Sequence, residues 1–307
     1  MESSRQWQQH SGLVLDRVNE FDVIECLSCG YKHVVPIPTQ EELEQVYRED
    51  YYSHEKPLYL DEHLEDLDWW NLVYDERYDY LESQLPGESR SLLDIGSGPG
   101  YFLLRGKARG WNTLGVEPST RAAAHSRDLG LDVREGFVDE ALVKSLGTFD
   151  VVYLHEVLEH IPNPASLLSI VTQLLKPGGI LCVIVPNDYN PLQKALRTTM
   201  NFEPWWLAPP HHINYFDHES LLTLLKNQGF DILSRSSTFP IELFLLMGMN
   251  YVGDSSMGRM VHRQRKNMEL NLTKIGCAEW KQRTYQAFAQ QGIGREVVAY
   301  ARLASFE

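Results

Sequence analysis

The sequence is poor in the features of secreted and membrane proteins. Its 307 residues include four cysteines, too few and too unevenly spaced for a disulfide scaffold. The longest apolar runs, 180–185 and 242–249, are far shorter than the ~18 residues that a membrane helix needs. The N-terminal segment lacks the apolar stretch of a secretory signal. We therefore expect a cytoplasmic protein that does not enter a membrane.

Basic residues are also scarce. The 28 Lys and Arg residues face 42 Asp and Glu residues, for a net charge of −14. Binding to a phosphate backbone or an anionic lipid surface depends on clustered basic side chains, so this balance argues against a nucleic acid or a membrane as partner. The charge is uneven, because residues 41–84 carry −12 and residues 255–307 carry +5. A small molecule is the expected partner, and no pattern in the sequence predicts an oligomeric state.

From about residue 90 the chain alternates short β-branched runs with amphipathic patterns, which is typical of a parallel α/β sheet. The pattern predicts strands at 91–97, 112–118, 131–137, 149–156, 180–187, 231–239 and 295–303. It predicts helices at 101–109, 119–130, 139–146, 165–175 and 218–230. The helix at 165–175 has an apolar stripe at i, i+3, i+4 spacing, and we expect Lys-Pro-Gly-Gly at 176–179 to end it with a left-handed glycine cap. We therefore predict a seven-stranded, mostly parallel sheet with helices on both faces.

Composition divides the chain into a small N-terminal unit, an acidic helix rich in aromatic residues, and the sheet domain, at 1–55, 56–89 and 90–307. The sheet domain is expected to carry a helical insertion at about 241–290. The acidic helix has two interpretations. It is either a solvated face with an aromatic core side, or a lid over a ligand that contributes Tyr74 or Tyr78.

The most informative segment is LLDIGSGPG at 92–100. Glycines at a strand-to-helix turn let the backbone turn sharply and approach a ligand closely. The spacing is GxGxG rather than the GxGxxG of dinucleotide folds. Asp94 would repel a pyrophosphate but suits a cation, and Glu117 at the end of the next strand can accept both hydroxyls of a ribose. A ribose and a positive charge without phosphate describe S-adenosylmethionine.

Four segments occur in order along the chain: LLDIGSGPGYF, GVEPS, FDVVYLHEVLEHIPNP and LLKPGGILCVIVPN. Together they resemble the successive motifs of class I S-adenosylmethionine-dependent methyltransferases, over about 90–240. The resemblance implies a Rossmann-like class I fold, S-adenosylmethionine as the cofactor, and methyl transfer as the reaction. It says little about the methyl acceptor.

The resemblance also implies which residues bind the cofactor. At the methionine part it places Asp94, Gly96, Ser97, Gly98 and Gly100. It places Glu117 at the ribose, and Pro118, Gly136 and Phe137 at the adenine. At the end of the fourth strand it places His155 and Glu156. The family's EH pair is Glu159-His160. Its histidine either fixes the turn into the next helix by hydrogen bonds or contacts substrate or cofactor directly.

The segment WWLAPPHHINYF at 205–216 follows the predicted fifth strand, so we expect it to overhang the transferred methyl group. It resembles a segment of the sugar- and quinone-methylating branches of the superfamily. In the C-methyltransferases among them that act on nucleotide-linked deoxysugars, a histidine at this place is associated with deprotonating the substrate. His211 or His212 is therefore a candidate catalytic base, since the pKa of histidine of about 6.5 lies close to operating pH. The alternative is that both histidines anchor the loop.

Several residues are candidates for binding the acceptor. Trp205, Trp206 and Tyr215 would form an apolar or stacking wall for it, or simply pack an inserted loop. Arg263 would grip the diphosphate of a nucleotide-linked sugar, or lie on the exposed face of a helix. We therefore predict methyl transfer to a small polar metabolite. Among such metabolites, the sequence favours a sugar or nucleotide-linked sugar as the acceptor. The alternatives are O-methylation of an aromatic or quinone-like acceptor, and a non-catalytic cofactor-binding homologue.

The N-terminal unit contains Cys26-Leu-Ser-Cys29-Gly, which resembles the second half of a zinc knuckle. Many sugar-cluster methyltransferases carry two CxxC pairs, and the first pair is missing here. His10 and His33 could complete a Cys2His2 set, but nothing in the spacing favours it. With Cys26 and Cys29 as the candidate ligands, the sequence predicts a metal-free remnant held by packing rather than a zinc site.

Overall fold

The computed structural model describes residues 10–45, 63–85, 87 and 90–304. Parts of the predicted N-terminal unit and the beginning of the predicted acidic helix lie outside these residues. Eleven strands are assigned within them: β1 Gly12–Val18, β2 Phe21–Cys26, β3 Lys32–Val35, β4 Ser91–Ile95, β5 Asn112–Glu117, β6 Asp132–Glu135, β7 Phe149–His155, β8 Leu175–Pro186, β9 Asn214–Tyr215, β10 Phe230–Ser237 and β11 Glu296–Leu303.

The α-helices of the described residues are α1 Gln40–Gln45, α2 Leu67–Gln84, α3 Tyr101–Ala108, α4 Thr120–Asp128, α5 Glu140–Leu146, α6 Pro164–Leu174, α7 Pro191–Met200, α8 His218–Asn227, α9 Glu242–Leu246, α10 Ser255–Lys274 and α11 Ala278–Gln290. The last three occupy the predicted insertion. Among the described helices, none combines the length and the apolar character that crossing a membrane requires.

Seven strands form one sheet in the order β10-β11-β8-β7-β4-β5-β6. Strand β4 pairs in parallel with β5 and with β7, and β5 pairs in parallel with β6. The chain reverses its direction of winding at β4, so the carboxyl ends of β4 and β7 flank a crevice of the kind in which open α/β sheets bind ligands. This mixed, mostly parallel sheet confirms the predicted Rossmann-like fold.

A second sheet has the order β1-β2-β3-β9. Strand β2 pairs antiparallel with β1 and β3. Strand β9 joins this sheet from far along the chain, with Asn214 opposite His33. Sequence analysis predicted no strand at 214–215, because two residues are too few to show a period.

By spatial clustering the chain forms two compact units. Unit 1 comprises residues 1–37, 184–224 and 234–299, and unit 2 comprises residues 38–183, 225–233 and 300–307. Unit 1 contains the four-stranded sheet and the helices of the insertion. Unit 2 contains strands β4 to β7 with their connecting helices, and it therefore contains the glycine turn.

Local sequence accounts for the helix boundaries. Asn163 begins α6, and its side chain accepts the N–H of Ser166 at 3.1 Å. The predicted apolar stripe of α6 is buried, including Leu168 and Val171. The helix ends at Leu174, and residues 175–179 already belong to β8. The glycine cap predicted at 176–179 was therefore wrong, because the chain is extended before it reaches Gly178.

Helices α2 and α3 pack closely at Gly106. The Tyr78 ring is fully buried, stacks on Phe102 at 4.6 Å, and donates a hydrogen bond to the Phe102 carbonyl at 3.0 Å. Charged groups support the contact at its edge, where Arg105 Nε lies 2.8 Å from Asp75 Oδ1 and Arg109 bonds Asp75, Asp79 and Glu82. The acidic face of α2 is therefore largely paired with arginine.

The substitution Gly106→Ala tests this packing. A Cβ at residue 106 would lie 2.2 Å from Tyr78 Oη and 2.7 Å from its Cζ, and overpacking of a filled core costs roughly 1–3 kcal/mol. That cost exceeds the ~1 kcal/mol by which alanine favours a helix over glycine. We expect the thermal midpoint of unfolding to fall, as measured by circular dichroism.

The matched control is Gly258→Ala in α10, where an added Cβ meets no described atom within 4 Å. There alanine gains its helix preference without a clash, so the thermal midpoint should rise or stay unchanged. A Gly106→Ala midpoint as high as that of the control would contradict the close packing.

Candidate functional site: a cofactor site in unit 2 and an acceptor loop in unit 1

The turn after β4 requires glycine at two positions. Gly96 has φ +76° and an added Cβ would lie 2.8 Å from Val157 Cγ2, whereas Gly100 has φ +82° and an added Cβ would lie 2.6 Å from Ser126 Oγ. Both conformations and both contacts exclude a larger residue. The Gly96 N–H donates to the Val116 carbonyl at 2.8 Å, which holds the turn against β5.

Glu117 ends β5 directly beside this turn. Its carboxylate is buried and accepts the N–H of Gly98 at 2.7 Å and the N–H of Ser119 at 2.8 Å. Burial raises the pKa of Glu117 to about 7, against the opposing effect of the two N–H donors. Each carboxylate oxygen has a further lone pair, which can accept a hydroxyl of a ribose.

Asp94 is the second carboxyl at this edge and is also buried. Burial, and then the negative charge of Glu117, hold the pKa of Asp94 well above its ordinary value, while Arg77 acts in the opposite direction. A cationic ligand would favour the ionised form of both carboxyls, and a phosphate would oppose it. The pair therefore selects for positive charge.

These residues fit S-adenosylmethionine. The cofactor carries a sulfonium, an ammonium and a ribose. The site offers two buried carboxyl groups beside a glycine-rich turn that a ligand can approach closely. Ser97 Oγ is buried and has no hydrogen-bond partner within the described part of the chain. Ser97 Oγ lies close to Gly115, since a Cβ added at Gly115 would be 2.7 Å from it.

The residues predicted to contact adenine follow β5 and β6. Pro118, Gly136 and Phe137 are half-buried. The Gly136 N–H donates to the Glu117 carbonyl at 3.0 Å. The structure thus brings these residues next to the carboxylate predicted to bind the ribose.

The end of β7 carries two further predicted residues. His155 is half-buried and Glu156 is exposed. Glu156 has φ +53°, a left-handed conformation that is uncommon for a residue other than glycine and concentrates at functional sites. Beyond it, a short 3₁₀ turn at Leu158–His160 buries Glu159, whose Oε1 lies 3.9 Å from His160 Nε2.

An aromatic cluster of His63, Trp70, Tyr74 and Tyr101 lies beside the glycine turn, since Tyr101 directly follows Gly100. The His63 ring stacks on Trp70 at 4.9 Å and on Tyr101 at 4.6 Å, and His63 Nε2 lies 3.0 Å from Tyr74 Oη. Burial lowers the pKa of His63 to about 4, so the ring is neutral at physiological pH. Sequence analysis missed His63 and Trp70, whose only signal was the aromatic content of the acidic helix.

Of the two tyrosines considered for a lid, the structure places only Tyr74 in this cluster. Tyr78 packs beneath it against Phe102. Trp70 also approaches the ring of His155, with 6.2 Å between ring centroids. Helix α2 therefore contributes ring surfaces that adjoin residues of both the glycine turn and the end of β7.

The segment predicted to lie over the acceptor, residues 201–216 and called the acceptor loop below, belongs to unit 1 and contains aromatic rings in edge-to-face contact. Trp206 is buried and makes edge contacts with Tyr189 at 5.3 Å and with Trp205 at 5.0 Å. Trp205 in turn contacts Phe202 at 5.5 Å. The buried Trp206 Nε1 has no hydrogen-bond partner in the described residues, so the loop presents an indole donor among apolar rings.

Tyr215 fixes the segment that carries the two histidines. It is fully buried, its hydroxyl donates to the His212 carbonyl at 3.0 Å, and it accepts the Ala208 N–H at 3.3 Å. The His212 N–H donates to the Ala208 carbonyl at 2.9 Å. Residues 208–212 thus form a tied loop, and His211 and His212 are both half-buried.

Asp188 is a titratable group that sequence analysis missed. It follows β8 and is fully buried; burial raises its pKa to about 6, against the effect of Arg295. The Arg295 Nη1 lies 3.6 Å from Asp188 Oδ1. The signal was an acidic residue directly after a buried strand. Arg263, by contrast, lies exposed on α10.

A doubly wound sheet with a glycine turn after β4 and an acidic residue closing β5 defines the class of S-adenosylmethionine-dependent methyltransferases of Rossmann-like fold. Comparison with known proteins identifies the family. A model described as "Methyltransferase domain" matches residues 71–235, more than half of the chain, and the chain belongs to that family. The predicted enzyme class and cofactor are thereby confirmed.

Relatives agree with this assignment over part of their length. The ubiquinone biosynthesis O-methyltransferase of Caulobacter vibrioides is 31% identical over 136 residues, which cover 42% of this chain and 54% of that protein. The protein of the same name from Cereibacter sphaeroides is 30% identical over 165 residues, covering 50% of this chain and 66% of that protein. The chain thus spans between about half and two thirds of these curated relatives.

A solved structure shows the same fold. The plantazolicin methyltransferase BamL, in complex with a triazolic desmethylPZN analog and SAH, matches with a TM-score of 0.52 and 16% identity. The match covers 85% of this chain and 94% of that chain. At this identity the likeness concerns the fold alone.

The pKa of Glu117 leads to a prediction for cofactor binding. Glu117→Gln should weaken the binding of S-adenosylhomocysteine at pH 8 about 10- to 100-fold, because a hydrogen bond to a charged group is worth roughly 1.5–3 kcal/mol. In the wild type the affinity should fall as the pH is lowered through about 7, where the carboxyl takes up a proton. Isothermal titration over a pH series measures both effects.

The control is Glu135→Gln, which changes the residue paired with Glu117 on the neighbouring strand. Glu135 is exposed and bonds Thr120 and Arg127, so this variant should bind the ligand as the wild type does. Equal affinities of the Glu117 and Glu135 variants would exclude the ribose role of Glu117.

Proposed function

We propose that this methyltransferase transfers a methyl group to an oxygen of an aromatic or quinone-like small molecule. The observation that carries the proposal is Trp206 of the acceptor loop, whose ring contacts those of Trp205 and Tyr189 and whose buried indole N–H has no hydrogen-bond partner in the described residues. Aromatic side chains pack favourably against a planar aromatic ligand, and the indole N–H can donate to its oxygen. The names of the relatives support the same acceptor class.

The sugar acceptor that the sequence first favoured has less support. Its predicted diphosphate contact, Arg263, lies on the exposed face of α10. Its remaining basis is the resemblance of the histidine segment to sugar-modifying enzymes. We keep it as the alternative that the substrate test distinguishes.

The proposed division of roles follows the two units. S-adenosylmethionine supplies an activated methyl group on a sulfonium, so the protein mainly positions two reactants. Glu117 and Asp94 bind the cofactor, with the glycine turn allowing its close approach. The rings of the acceptor loop bind the acceptor and exclude water from it.

A phenolic hydroxyl must lose its proton when its oxygen is methylated, because its unperturbed pKa is about 10. We propose His211 or His212 as the base that takes this proton, on a loop whose shape the Tyr215 hydroxyl fixes. Asp188 is a second titratable group of unit 1 and is ionised above about pH 6. Its N–H donates to the carbonyl of Phe216 at 2.8 Å, and we propose that Asp188 supports the end of the acceptor loop and does not replace the histidines as base.

A panel of acceptors tests the proposed function. Release of S-adenosylhomocysteine would be measured with hydroxylated aromatics, reduced quinones and nucleotide-linked sugars. We expect turnover with the first two classes and none with the sugars. Turnover confined to nucleotide-linked sugars would establish the alternative, and no turnover with any class would favour a non-catalytic homologue.

Substitution of the histidines tests the base. Either His211→Ala or His212→Ala should lower kcat at least ~100-fold, the usual scale for a lost general base, with S-adenosylhomocysteine affinity unchanged. Tyr215→Phe should lower kcat less, because it loosens the loop without removing the base. Unchanged kcat in both histidine variants would remove them from the mechanism.

A further inference from the structure

The sheet β1-β2-β3-β9 brings four potential metal ligands together in unit 1. They are His10 just before β1, Cys26 at the end of β2, Cys29 in the following turn, and His33 in β3. One ligand atom from each lies within 4.8 Å of the other three. Neither thiol forms a disulfide.

Two of the six distances between the ligand atoms match the edges of a zinc tetrahedron. His10 Nδ1 lies 3.6 Å from Cys26 Sγ and 3.3 Å from Cys29 Sγ. Zinc bonds of about 2.3 Å to sulfur and about 2.0–2.1 Å to nitrogen give an edge of about 3.6 Å between the two ligand atoms. A metal ion therefore fits between these groups with little movement.

His33 provides an independent observation. Its Nδ1 lies 2.9 Å from the Val34 carbonyl, which can only accept, so this nitrogen carries the proton and Nε2 keeps a lone pair. The side chain is 1% exposed, and Nε2 has no hydrogen-bond partner of normal geometry in the described residues. Metal-ligating histidines have this arrangement, with the second ring nitrogen fixed by a backbone carbonyl.

We propose that His10 Nδ1, Cys26 Sγ, Cys29 Sγ and His33 Nε2 bind one structural zinc ion. Mixed nitrogen and sulfur ligands in a tetrahedral set suit zinc, and four protein ligands leave no open position for catalysis. Zinc is held by the thiolate form of both cysteines, so a proton carried by either sulfur before binding is released to solvent. The proposal departs from the metal-free remnant that the sequence predicts.

The zinc ion would fix the edge of the sheet on which the acceptor loop ends. His33 lies opposite Asn214 in the pairing of β3 with β9, and Asn214 follows His212 by two residues. Lys32 reinforces the same edge through its ion pair with Asp217 at 2.8 Å. All four proposed ligands belong to unit 1.

The test uses the full chain purified without a metal-affinity tag. Elemental analysis should find about one zinc per chain. After removal of zinc by a chelator, added Co²⁺ should give the visible absorption of tetrahedral coordination together with a thiolate-to-cobalt charge-transfer band. A zinc content near zero, with no such spectrum on adding Co²⁺, would overturn the proposal.

Variants locate the ion. Cys29→Ser and His10→Ala should lose the bound zinc, whereas Cys277→Ser, which alters a half-buried thiol elsewhere in unit 1, should keep it. His10→Cys exchanges one ligand for another, so this variant should keep zinc, and its cobalt form should show a stronger thiolate-to-cobalt charge-transfer band. Binding of S-adenosylhomocysteine checks that each variant has folded. Full zinc content in both Cys29→Ser and His10→Ala would show that the ion lies elsewhere and would refute the site.

Discussion

The burial of two carboxyl groups at one sheet edge is the constraint on which the cofactor site depends. Asp94 and Glu117 lie at the ends of neighbouring strands and are almost inaccessible to water, which disfavours their charged forms. The backbone N–H groups of Gly98 and Ser119 donate hydrogen bonds to Glu117, which partly offset the cost of burying its charge. The Gly98 donor reaches it because the chain after β4 turns through left-handed glycines. Turn shape, carboxylate charge and preference for a cationic ligand are therefore consequences of one arrangement.

This part of the molecule could be predicted from the sequence because its determinants are local. The glycine turn and the strand before it lie within ten residues, and Glu117 ends the next strand of the same sheet. The alternation of strands and helices also predicted the seven-stranded sheet, since each element has enough residues to show its own period. The glycine run at 176–179 misled for the same local reason: it looked like a helix cap, yet β8 begins before it.

The remaining features depend on pairings that no short segment reveals. His33 becomes a plausible ligand only when β3 aligns with β2, and His10 only when the β1-β2 hairpin closes. Strand β9 joins the same sheet from about 180 residues further along, within a segment that had no periodic pattern. The aromatic cluster likewise needs α2 packed beside α3 before His63 meets Tyr101. The sequence shows that these side chains are present, but only the pairing of distant strands and helices shows which of them become neighbours.

The arginine pairs of α2 make its packing against α3 sensitive to ionic strength. Asp75, Asp79 and Glu82 meet Arg105 and Arg109 at partly exposed positions, where dissolved ions screen charge over about 10 Å at 0.1 M and about 3 Å at 1 M. The glycine turn is held by backbone hydrogen bonds, which such ions barely affect. Concentrated salt therefore weakens the attachment of α2 to α3 and leaves the glycine turn intact, so the acidic segment that dominates the net charge contributes to stability through ion pairs within unit 2.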